Sequence, residues 1–202
     1  MQYPNRVVWG PIPPKWYGSY ECELHEVLES VIALKPRAIL DIGAADGYYA
    51  VGMAKRLPES DVYAYDTDPI SRLQTKTLAK LNQTSVEARG FCTAAEMTQR
   101  IIADSTFILC DIEGHEMQTL DPVSVPKLSG AHILVEMHGT VKSAQLNAFE
   151  LMERFGNTHR GTIILPQPRE EWVKKQLNPA DISLLNECRG EPQCWVWLEP
   201  LP

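Results

Sequence analysis

The feature that most constrains the fold is the regular alternation of short apolar segments with helical segments along most of the chain. Apolar segments such as 106–112 are almost continuously hydrophobic, which is typical of strands buried on both faces of a sheet. The alternation therefore predicts an α/β fold, a doubly wound Rossmann-like sheet that is mostly parallel and has helices on both faces. The predicted strands are 37–43, 61–66, 85–91, 106–112, 131–138, 161–166 and 194–200, and the main predicted helices are 19–34, 48–57, 70–82, 94–102 and 143–155.

A chain of 202 residues is long enough to form one domain with a complete core, so we expect a single domain over 1–202. Within this domain we expect an N-terminal arm and a first helix over 1–34. The ligand-binding core is expected over 37–166, and a connection with the last strand over 167–202. Two interpretations of the aromatic side chains in the arm stay open: they line a lid over a ligand, or they pack against the sheet. These aromatic residues are Trp9, Trp16, Tyr17 and Tyr20.

The charge of the chain bears on its partners. The formal net charge is −7 at neutral pH, whereas proteins that bind nucleic acid are more often basic, so no nucleic-acid partner is expected. No apolar run approaches the ~20 residues that span a bilayer, and no leader peptide is visible. We therefore expect a cytoplasmic protein without a membrane partner, in which the five cysteines are reduced. A Cys188–Cys194 disulfide and a homo-oligomer stay open.

The segment DIGAADG, residues 41–47, connects the first core strand to the next helix. Gly43 and Gly47 allow a sharp turn and a close approach to a ligand, and the helix start offers free N–H groups. The spacing differs from the G-x-G-x-x-G dinucleotide motif. A carboxylate at Asp41 suits a cationic ammonium better than a pyrophosphate, and Asp66, which ends the next strand, can accept both hydroxyls of a ribose. A glycine turn alone is often only structural, but this combination indicates a nucleotide-cofactor site.

Together these residues resemble the class I S-adenosylmethionine-dependent methyltransferases over roughly residues 19–166, with Ala45 in place of a middle glycine. The resemblance implies a seven-stranded sheet with one antiparallel C-terminal strand, and S-adenosyl-L-methionine as the cofactor. It implies that the amino-acid end of the cofactor lies against the glycine turn and that the adenine lies near Thr67 and the turn at 91–93. The implied cofactor-binding residues are Asp41, Gly43, Ala44, Gly47, Asp66, Thr67, Cys92, Thr93 and Asp111.

Two acidic motifs follow later strands of the predicted sheet. CDIEGHE (110–116) contains Asp111 and Glu113, and VEMHG (135–139) contains Glu136 and His138. Ligands of open α/β sheets bind beyond the carboxyl ends of the strands, so we expect Asp111, Glu136 and His138 to converge where a methyl group would be offered. D-x-E-G-x-E followed by E-x-H is similar to the FkbM-type methyltransferases. That resemblance implies O-methylation of a hydroxyl group on a small molecule or a sugar.

Three roles for Asp111, Glu136 and His138 stay open. His138 could be a general base oriented by a carboxylate. The three side chains could instead hold Mg²⁺ or Mn²⁺ together with water and a substrate diol. In the third interpretation the acids cap helices and His138 bonds backbone groups. The chemistry itself is a direct displacement, in which the protein aligns the nucleophile with the methyl group.

Two other functions also agree with the pattern. The first is an NAD-dependent oxidoreductase, against which the glycine spacing argues. The second is a module that binds a cofactor or a partner protein without turnover, against which the acids at 41, 66, 111 and 136 argue.

Overall fold

A computed structural model describes residues 1–4, 10–167, 186–187 and 193–202. Within these ranges the chain forms one seven-stranded sheet in the order β3-β2-β1-β4-β5-β7-β6. All neighbouring strands are parallel except that β7 runs antiparallel to both β5 and β6, which confirms the predicted fold class. The strands are β1 (Ala38–Ile42), β2 (Asp61–Tyr65), β3 (Glu87–Arg89), β4 (Thr106–Cys110), β5 (Ala131–Met137), β6 (His159–Ile164) and β7 (Cys194–Pro200).

Most helices lie where the hydrophobic periodicity predicts them, and the clearest difference is at the N-terminus. The predicted helix 19–34 begins later than expected, because the backbone enters the left-handed region at Glu21 (φ 48°), inside the predicted segment. Gly18 (φ 67°) ends the short helix that precedes it. A 3₁₀ turn at Cys22–Leu24 then leads into the regular helix. The α-helices are α1 (Ile12–Tyr17), α2 (His25–Leu34), α3 (Tyr48–Arg56), α4 (Pro69–Asn82), α5 (Ala94–Arg100), α6 (Glu116–Thr119) and α7 (Val141–Phe155), and a second 3₁₀ turn covers Pro126–Gly130.

The core is divided by the sheet, as expected for strands that are buried on both faces. One face of β4 contributes Ile108 and Cys110 to one apolar cluster, and the other face contributes Phe107 and Leu109 to a second. Trp195 and Trp197 share one side of β7, because side chains alternate along a strand, and both are buried in that second cluster. Burying both faces of the central strands leaves only their ends available for polar groups.

The strand order brings the polar ends of separate segments together. β1 pairs with β2 on one side and β4 on the other, and β5 follows β4. Backbone hydrogen bonds continue past the strand ends, since the Gly43 N–H donates to the Tyr65 carbonyl at 2.8 Å and the Asp111 N–H donates to the Ile42 carbonyl at 2.8 Å. The glycine turn and the first acidic motif are therefore in direct contact.

Several sequence predictions concern residues outside the described ranges. Trp9, Cys188 and most of the connection predicted from 167 onward lie there, so the Cys188–Cys194 pairing stays a prediction. In the described ranges no helix has the length and apolar character that crossing a bilayer requires.

Candidate functional site

The glycine turn between β1 and α3 owes its shape to positive backbone dihedrals. Gly43 has φ 89°, Ala45 has φ 46° and Gly47 has φ 85°. A Cβ added at Gly43 would lie 1.6 Å from the carbonyl oxygen of Asp111, and one at Gly47 would lie 2.8 Å from Thr75 Cγ2. Glycine is therefore required at both positions by packing as well as by backbone conformation.

Asp66 braces this turn through backbone groups. Its Oδ2 accepts a hydrogen bond from the Ala45 N–H at 2.8 Å, and its Oδ1 accepts one from the Asp68 N–H at 2.8 Å. A carboxylate has about four lone-pair sites, so both oxygens keep capacity for a further donor. The predicted ribose acceptor thus lies beside the glycine turn, and its orientation is set by the protein itself.

Asp41 is buried in β1 at 2% exposure. Its Oδ2 accepts a hydrogen bond from the Ala50 N–H in the first turn of α3 at 2.9 Å, while its Oδ1 has no hydrogen-bond partner among the described residues. Burial raises the pKa of Asp41 to about 7, and the negative charges of Asp66 and Asp46 add to the shift. Such a carboxyl group is costly to ionise unless a cation approaches it.

The three residues predicted near the adenine have mixed surroundings. Cys92 is buried, and burial raises the pKa of its thiol to about 12. Thr93 is exposed and caps α5, since its hydroxyl oxygen accepts a hydrogen bond from the Glu96 N–H at 3.1 Å. Thr67 is also exposed, and its carbonyl accepts a hydrogen bond from Arg72 at 2.9 Å. The structure thus gives Cys92 and Thr93 structural roles, and contact with a ligand stays a prediction for all three.

The second part of the site is an acid–imidazole cluster beyond β4 and β5, made of Asp111, Glu113, Glu116, Glu136 and His138. His138 Nε2 lies 3.4 Å from one carboxylate oxygen of each of Asp111, Glu113 and Glu136. His138 Nδ1 lies 2.8 Å from Glu116 Oε1. The predicted convergence of Asp111, Glu136 and His138 is therefore present in the structure, with Glu113 and Glu116 in addition.

Glu116 sets the tautomer and the orientation of the His138 imidazole. It is 2% exposed, and its Oε1 also accepts the Gly114 N–H at 2.9 Å and the Ile112 N–H at 3.3 Å. A carboxylate held in this way favours a proton on His138 Nδ1 and leaves Nε2 directed at the other three acids. Sequence reasoning matched Glu116 to a motif but gave it no role; its spacing of five residues from Asp111 was the available signal.

The cluster requires positive charge at Nε2. A neutral nitrogen lone pair facing three carboxylate oxygens at 3.4 Å would be repelled, so a proton or a metal ion must lie between them. Burial alone lowers the pKa of His138, but its hydrogen bonds to Glu116 and Glu136 outweigh that effect and raise the pKa to about 11. Burial and the Glu136 charge raise the pKa of Asp111.

The donor set fits a divalent ion. Ligand atoms of Asp111, Glu113 and His138 all lie within 4.8 Å of one another, and Glu136 Oε2 approaches the same imidazole nitrogen. Adjacent ligands of an octahedral Mg²⁺ are about 3 Å apart, so the 3.4 Å separations between His138 Nε2 and the oxygens of Asp111 and Glu113 need to contract only slightly. Glu113, whose side chain is 85% exposed, was absent from the predicted ligand set of Asp111, Glu136 and His138.

Part of the N-terminal arm also reaches the site, which sequence reasoning did not predict in residue detail. Lys15 Nζ forms an ion pair with Asp46 Oδ2 at 2.8 Å, and both residues are buried. Glu21 is buried and accepts a hydrogen bond from the Tyr49 hydroxyl. Tyr20 packs against Tyr48 at a ring-centroid distance of 5.3 Å. Lys15, Tyr20 and Glu21 belong to no recognisable motif, and only the fold brings them to the glycine turn and the start of α3.

Comparison with known proteins identifies the fold but not a family. No family model matches the chain, and no curated protein matches it with significance. Solved structures do match. The O-methyltransferase TomG from Streptomyces achromogenes, involved in tomaymycin synthesis and solved with S-adenosylmethionine, is 14% identical with a TM-score of 0.58, over 88% of this chain and 78% of that chain.

Two further structures show how broad this fold is. An O-methyltransferase from Bacillus cereus in complex with S-adenosylhomocysteine is 14% identical with a TM-score of 0.55, over 89% of this chain and 80% of its own. A precorrin 8W decarboxylase from Methanobacterium thermoautotrophicum is 18% identical with a TM-score of 0.56, over 86% of this chain and 89% of its own. At such identities the likeness establishes the architecture, and the chemistry has to be argued from the site.

Proposed function

We propose that this protein is an S-adenosylmethionine-dependent methyltransferase, most consistent with O-methylation of a hydroxyl group on a small molecule or a sugar. The observation that carries the proposal is the direct contact between two half-sites. The glycine turn with Asp66 suits a nucleoside cofactor, and it meets the acid–imidazole cluster where Gly43 packs on the Asp111 carbonyl. Structural neighbours crystallised with S-adenosylmethionine or S-adenosylhomocysteine support this assignment.

Methyl transfer makes limited demands on the protein, because the sulfonium of the cofactor is already an activated leaving group. The chain has to hold the cofactor, align the acceptor oxygen with the methyl group and remove a proton from that oxygen. The backbone-braced turn performs the first task in this proposal. Asp111, Glu136 and His138, which end adjacent strands, perform the other two.

The geometry favours the metal role of the cluster over the other two interpretations. A general base needs a free lone pair, whereas three acids around Nε2 keep His138 protonated unless another cation replaces that proton. Helix capping explains little, since α6 has four residues and no side chain caps its start. Asp111, Glu113, Glu136 and His138 would hold Mg²⁺ or Mn²⁺. When bound, the ion would lower the pKa of an acceptor hydroxyl and fix its oxygen.

The test of the proposed function is cofactor binding. Isothermal titration calorimetry of the native protein with S-adenosylhomocysteine should give a saturable signal, and NADH should give none. Asp66→Asn should weaken S-adenosylhomocysteine binding about tenfold, because it removes the charge that accepts the ribose hydroxyls. Asp61→Asn, an exposed position at the opposite end of β2, is the matched control and should bind like the native protein.

Two results would contradict this function. If the native protein binds NADH and not S-adenosylhomocysteine, the oxidoreductase interpretation replaces it. If Asp66→Asn keeps native affinity while its melting temperature is unchanged, Asp66 has no role at the ribose. A melting curve of each variant is needed because Asp66 also braces the turn through the Ala45 N–H.

A further inference from the structure

We propose that Glu21, supplied by the N-terminal arm, binds the ammonium group of the amino-acid end of the cofactor. This inference rests on the proposed function, and it assigns a binding residue that lies outside the glycine turn and the acidic motifs. The arm, defined here as residues 10–24, comes before every strand of the sheet. The sequence offered only its aromatic residues as a lid and assigned no ligand contact to Glu21.

The position of Glu21 is the first step of the argument. Glu21 as a whole is 2% exposed, and its carboxylate accepts a hydrogen bond from the hydroxyl of Tyr49, the second residue of α3. Its backbone N–H donates to Glu187 Oε1 at 2.9 Å. Glu21 is thus held against the helix that follows the glycine turn, where the amino-acid end of the cofactor is proposed to lie.

Charge is the second step. Asp41 reaches the same first turn of α3, where it accepts the Ala50 N–H, and its buried Oδ1 has no partner among the described residues. Carboxylates from the arm and from β1 therefore flank the first turn of α3, where they accept the Tyr49 hydroxyl and the Ala50 N–H. Buried like charges of this kind are stabilised by a compact cation, and an ammonium has three N–H donors to share among them.

The third step is the contact that holds the arm against the glycine turn. Lys15 Nζ pairs with Asp46 of the glycine turn at 2.8 Å and lies 4.9 Å from the ring centroid of Tyr20 and 5.7 Å from that of Tyr48. A buried ion pair surrounded by aromatic rings holds the arm to the turn at a defined position. Lys15 is accordingly a positioning residue, and Glu21 is the residue that contacts the cofactor.

The experiment compares two ligands that differ only at the amino-acid end. S-adenosylhomocysteine carries the ammonium, whereas 5′-methylthioadenosine keeps the nucleoside and the thioether and lacks that end. Glu21→Gln should lower the affinity for S-adenosylhomocysteine about 10- to 100-fold, the effect of one charged hydrogen bond, and leave 5′-methylthioadenosine within about twofold. Glu59→Gln, at an exposed glutamate, should change neither affinity.

A ligand-side test covers the case in which Glu21→Gln does not fold. The deamino analogue of S-adenosylhomocysteine should bind the native protein with the same 10- to 100-fold deficit, about one charged hydrogen bond, because it lacks the group that Glu21 accepts. If the variant folds, it should bind S-adenosylhomocysteine and the deamino analogue equally. That equality distinguishes a direct contact from a general loosening of the site.

The outcomes separate this inference from the function on which it rests. No binding of S-adenosylhomocysteine by the native protein refutes the proposed function. Native binding with unchanged affinity in Glu21→Gln, or equal losses for S-adenosylhomocysteine and 5′-methylthioadenosine, refutes the role of Glu21 alone. The role of Glu21 is also refuted if the deamino analogue binds the native protein as tightly as S-adenosylhomocysteine does.

Discussion

The glycine turn and the acid–imidazole cluster lie side by side at one edge of the sheet, but they are held by different partners. In the turn, the carboxylates of Asp41 and Asp66 accept hydrogen bonds from backbone N–H groups. In the cluster, three carboxylates approach a single imidazole nitrogen at 3.4 Å, a distance too long for a strong hydrogen bond. The carboxylates of the first region are held by backbone donors of the chain, whereas the second region requires a proton or a metal ion between His138 Nε2 and the acids.

This difference indicates what each region does. Backbone donors cannot move without unfolding the turn, so in the proposed function they provide a preorganised surface for the cofactor. Side chains that repel one another until a cation arrives instead form a site whose geometry depends on its occupant. The two regions should therefore respond differently to substitution, to pH and to metal ions.

The contact between the regions is the most sensitive point, so Gly43→Ala should have the largest effect. The added Cβ would overlap the Asp111 carbonyl at 1.6 Å, and φ 89° is strained for alanine. We expect a loss of at least about 4 kcal/mol in the free energy of unfolding, measured by urea denaturation. Gly52→Ala in α3 is the control, because no atom lies within 4 Å of the added Cβ. It should stabilise the helix by about 0.5–1 kcal/mol. Equal effects of the two substitutions would contradict the packing argument.

Removing a ligand should separate the cluster from the turn. Asp111→Asn should weaken Mn²⁺ binding, followed by electron paramagnetic resonance, by more than about 100-fold, which exceeds the usual effect of losing an outer partner. Asp61→Asn, at the far end of the sheet, should leave Mn²⁺ affinity unchanged. If the native protein binds no Mn²⁺ at millimolar concentrations, the metal role is wrong and a proton occupies Nε2.

Asp41 gives the turn a predicted pH dependence. Its pKa is about 7 in the folded protein against an ordinary value of 3.8, so the folded state binds more protons between these values. The stability of the protein without cofactor should therefore fall as pH rises from about 4 to 7 and then level off. Asp41→Asn should remove much of that fall and stabilise the protein by about 2 kcal/mol at pH 8. Chemical denaturation at several pH values checks this, and parallel curves for the variant and the native protein would exclude the buried charge as the cause.

The smallest predicted effect concerns Glu116, which contacts the imidazole and not the proposed ion. Glu116→Gln keeps an acceptor for His138 Nδ1 but removes the charge, and Mn²⁺ affinity should fall about tenfold. Glu150→Gln, on the exposed face of α7, is the control. A loss as large as that of Asp111→Asn would place Glu116 among the direct ligands.

The sequence predicted the central strands and helices well, because their apolar runs and periodicities are local properties. It was less accurate where tertiary contacts decide the backbone. Residues 19–24 have helical spacing but form no α-helix, since Glu21 adopts left-handed dihedrals. The site showed the same division: the convergence of Asp111, Glu136 and His138 followed from strand ends, whereas the contacts of Glu21 and Lys15 depend on how the arm folds back.

The sequence by itself determined the sheet, the position of the turn and the acids that end the strands, because side-chain hydrophobicity and glycine spacing act within a few residues. Only the tertiary structure decided that Glu116 holds the imidazole, that Glu113 joins the cluster and that the arm brings Glu21 to α3. The physical reason is the distance along the chain over which each kind of interaction acts. Charges and hydrogen bonds between residues far apart in the chain depend on separations of a few ångströms, which exist only once the strands have paired.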